Sequence, residues 1–198
     1  MSESLPVICL ARHGGTEWSR TGQHTGVTDL PLTAAGEGEA RQLGTRLSAQ
    51  TFAKVFTSPL QRAARTCDIA GFGGVAETNT DLVEWDYGKY EGRRTAEIHA
   101  EAPDWQLFRD GCPGGEMPAQ VGARADRVLS RVRAIKGDVL IFSSGHFLRV
   151  LAARFLGLDA VGGKLFTLNT ASVSLLGFEN NLSQPVIRLW NDTSHLSG

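Results

Sequence analysis

Two short polar clusters in this chain carry side chains able to act on an anion, Arg12-His13-Gly14 and Ser143-Ser144-Gly145-His146. Each follows an apolar run, Val7 to Ala11 and Val139 to Phe142, of the kind expected for a strand buried on both faces. Open α/β sheets bind ligands where such strands end and helices begin, so the two clusters can feed a single site. Arg62 supplies a third element. It follows Ser58-Pro59, which reads as a capping hydroxyl and a first-turn proline at a helix start, where free N–H groups and the helix dipole favour an anion. A guanidinium placed there has the shape of a phosphate fork.

The elements that must position these groups alternate along the chain. Thr33 can cap a helix whose Ala40, Leu43 and Leu47 share one face and which ends near Gln50. Lys54 to Thr57 reads as a strand, and the helix after Ser58-Pro59 sets Arg62 and Thr66 one turn apart. The stretch from Gly71 to Gly115, with its glycines and prolines, is expected to hold loops and short helices. Helical spacing returns over Glu116 to Ile135, followed by a strand over Asp138 to Ser143 and a helix over about Phe147 to Leu156. Strands around Ala171 to Phe178 and Val186 to Trp190 complete an α/β pattern, and residues 1–198 read as one domain.

Composition narrows the partners. Lys plus Arg number 20 against 21 Asp plus Glu, a net charge of −1 that offers no electrostatic footprint for nucleic acid or anionic lipid. Cys9, Cys67 and Cys112 have no C-x-x-C pairing and read as thiols in a reducing cytoplasm. Val7 to Ala11 is too short for a signal peptide or a membrane span. No H-E-x-x-H, H-x-x-E-H or Asp-rich ion loop occurs, so neither a catalytic metal nor another cofactor is expected. A homodimer stays open, through a strand edge or a helix face. His24, His99 and His195 read as ordinary surface or hydrogen-bonded residues.

Taken together, Arg12-His13-Gly14-x-Thr16-x-Trp18, Thr25-Gly26-x-Thr28-Asp29-x-Pro31-Leu32-Thr33 and Ser58-Pro59-x-x-Arg62-Ala63-x-x-Thr66 resemble the histidine phosphatase superfamily, the phosphoglycerate mutase-like enzymes. The match continues through Glu84-Trp85-Asp86-Tyr87-Gly88-x-Tyr90-Glu91-Gly92, Arg109-Asp110-Gly111-Cys112-x-x-Gly115-Glu116 and Gly145-His146-x-Leu148-Arg149, so it covers nearly the whole chain. Its details are nearest to small bacterial phosphatases and the sedoheptulose-1,7-bisphosphatase branch. The resemblance implies a three-layer α/β/α sandwich around a mostly parallel sheet. It also implies a metal-independent phosphomonoesterase acting on small phosphorylated metabolites, sugar phosphates among them. His13 would be the nucleophile and Glu84 the proton donor, with a raised carboxylate pKa that Trp85 and Tyr87 promote by excluding water. Arg12, Arg62, Ser19, Ser144 and His146 would face the phosphate, and Thr25, Gly26 and Tyr87 the rest of the substrate. Arg93, Arg94 and Arg109 either contact a second phosphate or sit in water.

Two positions depart from the family pattern. Ser144 stands where the family usually has the second imidazole of the phosphate pocket, a change expected to reduce turnover. His146, two residues on, is either that partner or a substrate-facing residue. Gly15 stands where Glu or Gln is usual, which frees the backbone to reshape the anion loop or to loosen it. The alternatives are a phosphate-binding pseudo-enzyme and a mutase-type phosphotransferase.

Overall fold

The computed structural model describes residues 5–196. Six strands form one sheet in the order β3-β2-β4-β1-β5-β6. They are β1 (Ile8–Arg12), β2 (Lys54–Thr57), β3 (Ala76–Thr78), β4 (Val139–Ser143), β5 (Val173–Phe178) and β6 (Pro185–Asp192). The first four run parallel, while β5 pairs antiparallel with β1 and β6 antiparallel with β5. The sheet is thus mixed, with helices on both sides, an α/β fold.

Apolar alternation explains the layers. Ile8 and Leu10 of β1, Phe56 of β2, and Val139 and Ile141 of β4 join one buried cluster with Val121, Val128 and Leu151. The intervening Cys9, Ala11, Val55, Leu140 and Phe142 join a second with Leu43, Leu47 and Cys67. Strands covered on both faces must be apolar at every position, which is why β1 and β4 read as unbroken runs. One layer is carried by α2 (Ala34–Leu47) and α3 (Gln61–Ile69), the other by α6 (Pro118–Arg133) and α7 (Gly145–Phe155). Three short helices, α1 (Glu17–Thr21), α4 (Thr95–Glu101) and α5 (Leu107–Asp110), sit over the strand ends and in the middle segment.

Several boundaries differ from the sequence reading. The helix before Arg62 starts at Gln61 with Leu60 as its cap and no capping side chain, while the Ser58 hydroxyl accepts the Leu60 N–H at 3.3 Å in the turn before it. The middle segment holds β3, which its three residues and missing apolar pattern conceal. Helix α1 owes its start to Thr16 and Ser19, whose hydroxyls accept each other's backbone N–H at 2.8 and 3.2 Å. The three cysteines are buried and unpaired. Among the described residues no helix is long and apolar enough to cross a membrane.

Candidate active site

Strands β1 and β4 are neighbours in register, Arg12 beside Ser143, and their following helices α2 and α7 cover opposite faces of the sheet. That divergence opens a crevice at the strand ends. His13 leaves β1 with its N–H donating to the Ser143 carbonyl at 3.0 Å and its carbonyl accepting the Ala171 N–H at 3.0 Å. Its Nδ1–H donates to the Gly14 carbonyl at 2.8 Å, which leaves the lone pair on Nε2. Burial, then the charges of Arg12 and Arg62, hold the imidazole well below its ordinary value. His13 is therefore neutral at neutral pH.

The loop after His13 is tightly held. A Cβ on Gly14 would stand 2.3 Å from the Gly36 carbonyl oxygen, so only glycine lets α2 approach this closely. The Gly14 N–H donates to Thr66 Oγ1 at 3.0 Å, and that hydroxyl donates to the Arg62 carbonyl at 2.7 Å. At Gly15 the N–H donates to Glu39 Oε2 at 2.8 Å and the carbonyl accepts the Thr33 N–H at 2.9 Å. A Cβ at Gly15 would make ordinary contacts with the Glu39 carboxylate at 3.6 Å and the Gly36 Cα at 3.8 Å. The backbone that Gly15 frees is pinned by these bonds and is not loose.

Both guanidinium groups belong to buried machinery. Arg12 donates from Nη1 to the Leu168 carbonyl, and Arg62 donates to the carbonyls of Thr28 at 3.0 Å, Thr25 at 3.1 Å and Gly26 at 2.8 Å. The Nε of each is buried without a partner among the described residues. Burial lowers both arginines from their ordinary value and Glu84 is the leading opposing charge, but neither loses its proton near neutrality.

Glu84 is buried against the first turn of α7. Its Oε1 accepts the Phe147 and Trp85 N–H groups at 2.7 and 2.9 Å, and Oε2 accepts the His146 N–H at 2.9 Å. A carboxylate at a helix N-terminus satisfies N–H groups that have no partner within the helix. Trp85 is fully buried beside it, edge-on to Phe108, with its indole N–H on the Glu116 carbonyl at 2.9 Å. Tyr87 Oη lies 2.5 Å from His146 Nδ1. Burial pushes the phenol well above and the imidazole well below their ordinary values, so both are neutral. We assign the phenol as donor, which places the His146 proton on Nε2.

These groups surround a cleft of about 260 Å³. Arg12, His13, Ser19, Thr25, Glu84, Tyr87 and His146 line it. Arg62 stands behind it and fastens the 25–28 loop through the three carbonyls it binds. Gly26 and Ser144, like Arg62, were expected contacts and are not on the lining. Gly26 has its N–H on Glu91 Oε1 at 2.8 Å, and a Cβ there would lie 2.4 Å from the Trp85 carbonyl, so it serves close packing. Ser144 is the fully buried cap residue of α7, and its Oγ has no partner among the described residues. The Ser19 hydroxyl donates to the Thr16 carbonyl at 2.9 Å and so is shared with the α1 cap.

His24 and Arg149 are the ionisable lining residues that the sequence does not single out. His24, taken as ordinary, stacks 4.7 Å from Tyr87, and burial lowers it to about 4. Arg149 lines the cleft one helical turn beyond His146, its guanidinium 4.5 Å from the Phe108 ring and its Nε on the Gly163 carbonyl at 3.1 Å. Its place in the Gly145-His146-x-Leu148-Arg149 block was the available signal. Arg93 and Arg109 do not reach the cleft. They pair instead with Glu101 at 2.8 Å and Asp110 at 2.6 Å. Trp105 and Phe108 are core residues.

The architecture and this cleft define an α/β enzyme with an anion site at its strand ends. Residues 8–193 match the model of the histidine phosphatase superfamily, branch 1, and the chain belongs to that family. It is 40% identical over 181 residues to an acid phosphatase of Mycobacterium tuberculosis, a match covering 89% of each chain. It is 36% identical over 191 residues to a sedoheptulose 1,7-bisphosphatase of Saccharomyces cerevisiae, covering 80% of this chain and 70% of the yeast protein. The solved structure of a Mycobacterium tuberculosis open-reading-frame product superposes with a TM-score of 0.90 at 37% identity, covering 94% of this chain and 97% of the other. The protein is a phosphatase of the histidine phosphatase type.

Proposed function

We propose that this chain hydrolyses small phosphate monoesters, sugar phosphates among them, through a phosphohistidine on His13 and without a metal. The observation that carries this reading is the neutral, buried His13, whose Nδ1–H is committed to Gly14 beside the half-buried Arg12 and the buried Arg62. Nε2 attacks phosphorus as the P–O bond to the leaving alcohol breaks, and Glu84 delivers a proton to that oxygen. The same carboxylate then takes a proton from water as it attacks the phosphohistidine, releasing phosphate and restoring neutral His13. Arg12, on the lining, neutralises the equatorial oxygens as charge shifts onto them, and Arg62 adds positive charge from behind the cleft.

The other end of the cleft receives the leaving group. His24, Tyr87, Thr25 and the Nε2–H of His146 are uncharged hydrogen-bonding groups suited to hydroxyls, and the small volume favours a compact metabolite. The phosphatase names of the two relatives favour hydrolysis over mutase chemistry. Ser144 adds no positive charge where the family usually has imidazole, so turnover is lower than in relatives carrying histidine there. The test is phosphate release from an aryl phosphate and a panel of sugar phosphates in EDTA. Turnover that resists chelation and falls by about a thousandfold in His13→Ala supports the reading. Metal-dependent turnover, or activity that survives His13→Ala, overturns it, and binding of phosphate without any turnover identifies a pseudo-enzyme.

A further inference from the structure

The loop that leads into β5 has an unusual backbone. Ala171 is fully buried and left-handed, with φ at +52°, although it carries the Cβ that this conformation disfavours. Its N–H donates to the His13 carbonyl at 3.0 Å, and its carbonyl accepts the Nε2–H of His195 at 3.0 Å. The same loop reaches Arg12 twice. The Ser172 carbonyl accepts the Arg12 N–H at 3.2 Å, and the Leu168 carbonyl accepts Arg12 Nη1. Residues 168–172 therefore bracket the nucleophile and its neighbouring guanidinium together.

The bracket is fastened from outside at two points. Asn191, itself left-handed at φ +56°, accepts the Asn169 N–H on its side-chain oxygen at 2.7 Å. His195 holds the Ala171 carbonyl from the 3₁₀ turn Ser194–Leu196, which packs against α2. The other ring nitrogen of His195 is buried without a partner, so the bond to Ala171 is its side chain's sole polar contact among the described residues. A strained residue persists only where its surroundings over-determine it. Without the His195 donor the Ala171 carbonyl loses its partner, and relaxation of φ swings the N–H away from the His13 carbonyl.

We propose that His195 is a positioning residue for His13, acting through Ala171 to fix the direction of Nε2. This rests on the reading of His13 as nucleophile. The side chains assigned to the leaving group, His24, Thr25, Tyr87 and His146, have no hydrogen bond to residues 168–172 among the described residues, so the effect falls on kcat and leaves KM nearly unchanged. Small misalignments of a nucleophile are costly, and a loss of about tenfold is expected.

The experiment compares His195→Ala, His195→Gln and His13→Ala, with aryl phosphate kinetics, melting temperatures and 15N spectra of protein labelled at histidine. The His13 ring signals are those missing from His13→Ala. His195→Ala is expected to lower kcat about tenfold with KM within about twofold, and to move the His13 ring signals. His195→Gln, whose amide N–H can donate to the same carbonyl, is expected to restore both. Unchanged kcat with unmoved ring signals in His195→Ala overturns the proposal, as does a loss that glutamine fails to rescue. Should His13→Ala keep its turnover, the functional reading falls by itself. The ring signals then decide the positioning claim, supporting it if they move and overturning it if they do not.

Discussion

At the end of β1 the polar groups that flank His13 are spoken for. Gly14 N–H has Thr66, Gly15 N–H has Glu39, and the Gly15 carbonyl has Thr33. At the adjacent end of β4 the Ser144 hydroxyl is just as buried and has no partner, while the N–H groups of His146 and Phe147 go to Glu84. A helix N-terminus ordinarily offers its N–H groups to an anion, but here a carboxylate already holds them. The positive groups nearest the cleft are those of Arg12, on its lining, and Arg62, behind it, whose buried Nε groups have no partner among the described residues. The β1 side holds His13 and its loop by hydrogen bonds to neighbouring elements, and the β4 side sets the Glu84 carboxylate on the first turn of α7, whose cap hydroxyl has no partner among the described residues.

The largest expected gain comes from filling the poorer side. Ser144→His adds a positive or donating ring near the phosphate, and kcat on an aryl phosphate should rise by about a hundredfold. No gain would show that the two strand ends are not functionally unequal at this position. On the β1 side, Gly14→Ala forces a Cβ to 2.3 Å from the Gly36 carbonyl and should cost about 2 kcal/mol or more in urea unfolding. Gly15→Ala makes only ordinary contacts and should stay within about 0.5 kcal/mol. Equal losses at the two glycines would contradict the packing described.

A smaller contrast tests the hydrogen-bonding difference itself. Thr66→Val strips the Gly14 N–H of its partner and should lower stability by about 1 to 2 kcal/mol, whereas Ser144→Ala removes an unpartnered hydroxyl and should leave the melting temperature equal or higher. The smallest effect is in the pH profile. A free imidazole is half protonated at 6.5, but burial and two arginines keep His13 neutral well below that, so kcat/KM should show no loss from His13 protonation between pH 7 and 6.5. Stability behaves differently. The unfolded chain protonates its histidines near 6.5 while folded His24 resists to about 4, so the unfolded state binds more protons in that window. The melting temperature should thus fall as pH drops from about 6.5 towards about 4.

Much of this organisation is legible in the order of residues. The apolar runs of β1 and β4 and the helical faces of α2, α6 and α7 follow from local periodicity, because strands and helices select side chains by which face they bury. The Lys54–Thr57 strand appears with the same boundaries in both readings. Motif spacing likewise marked Arg12, His13, Thr25, Glu84, Tyr87 and His146, which the fold brings to one cleft.

Other features needed the tertiary structure, because they depend on contacts between residues distant in sequence. Strand β3 exists because β2 offers an edge to pair with, and no pattern in Ala76–Thr78 announces it. Arg62 binds three carbonyls of the 25–28 loop, and Glu84 caps a helix that begins at Gly145. His24 and His195 looked alike as isolated histidines, yet one lines the cleft and the other holds the Ala171 carbonyl. Sequence by itself determined which side chains are capable of the chemistry, since that is a property of residue type and local spacing. Only the folded chain decided which of them are buried, neutral and aimed, since desolvation and hydrogen-bond geometry arise when separate segments meet.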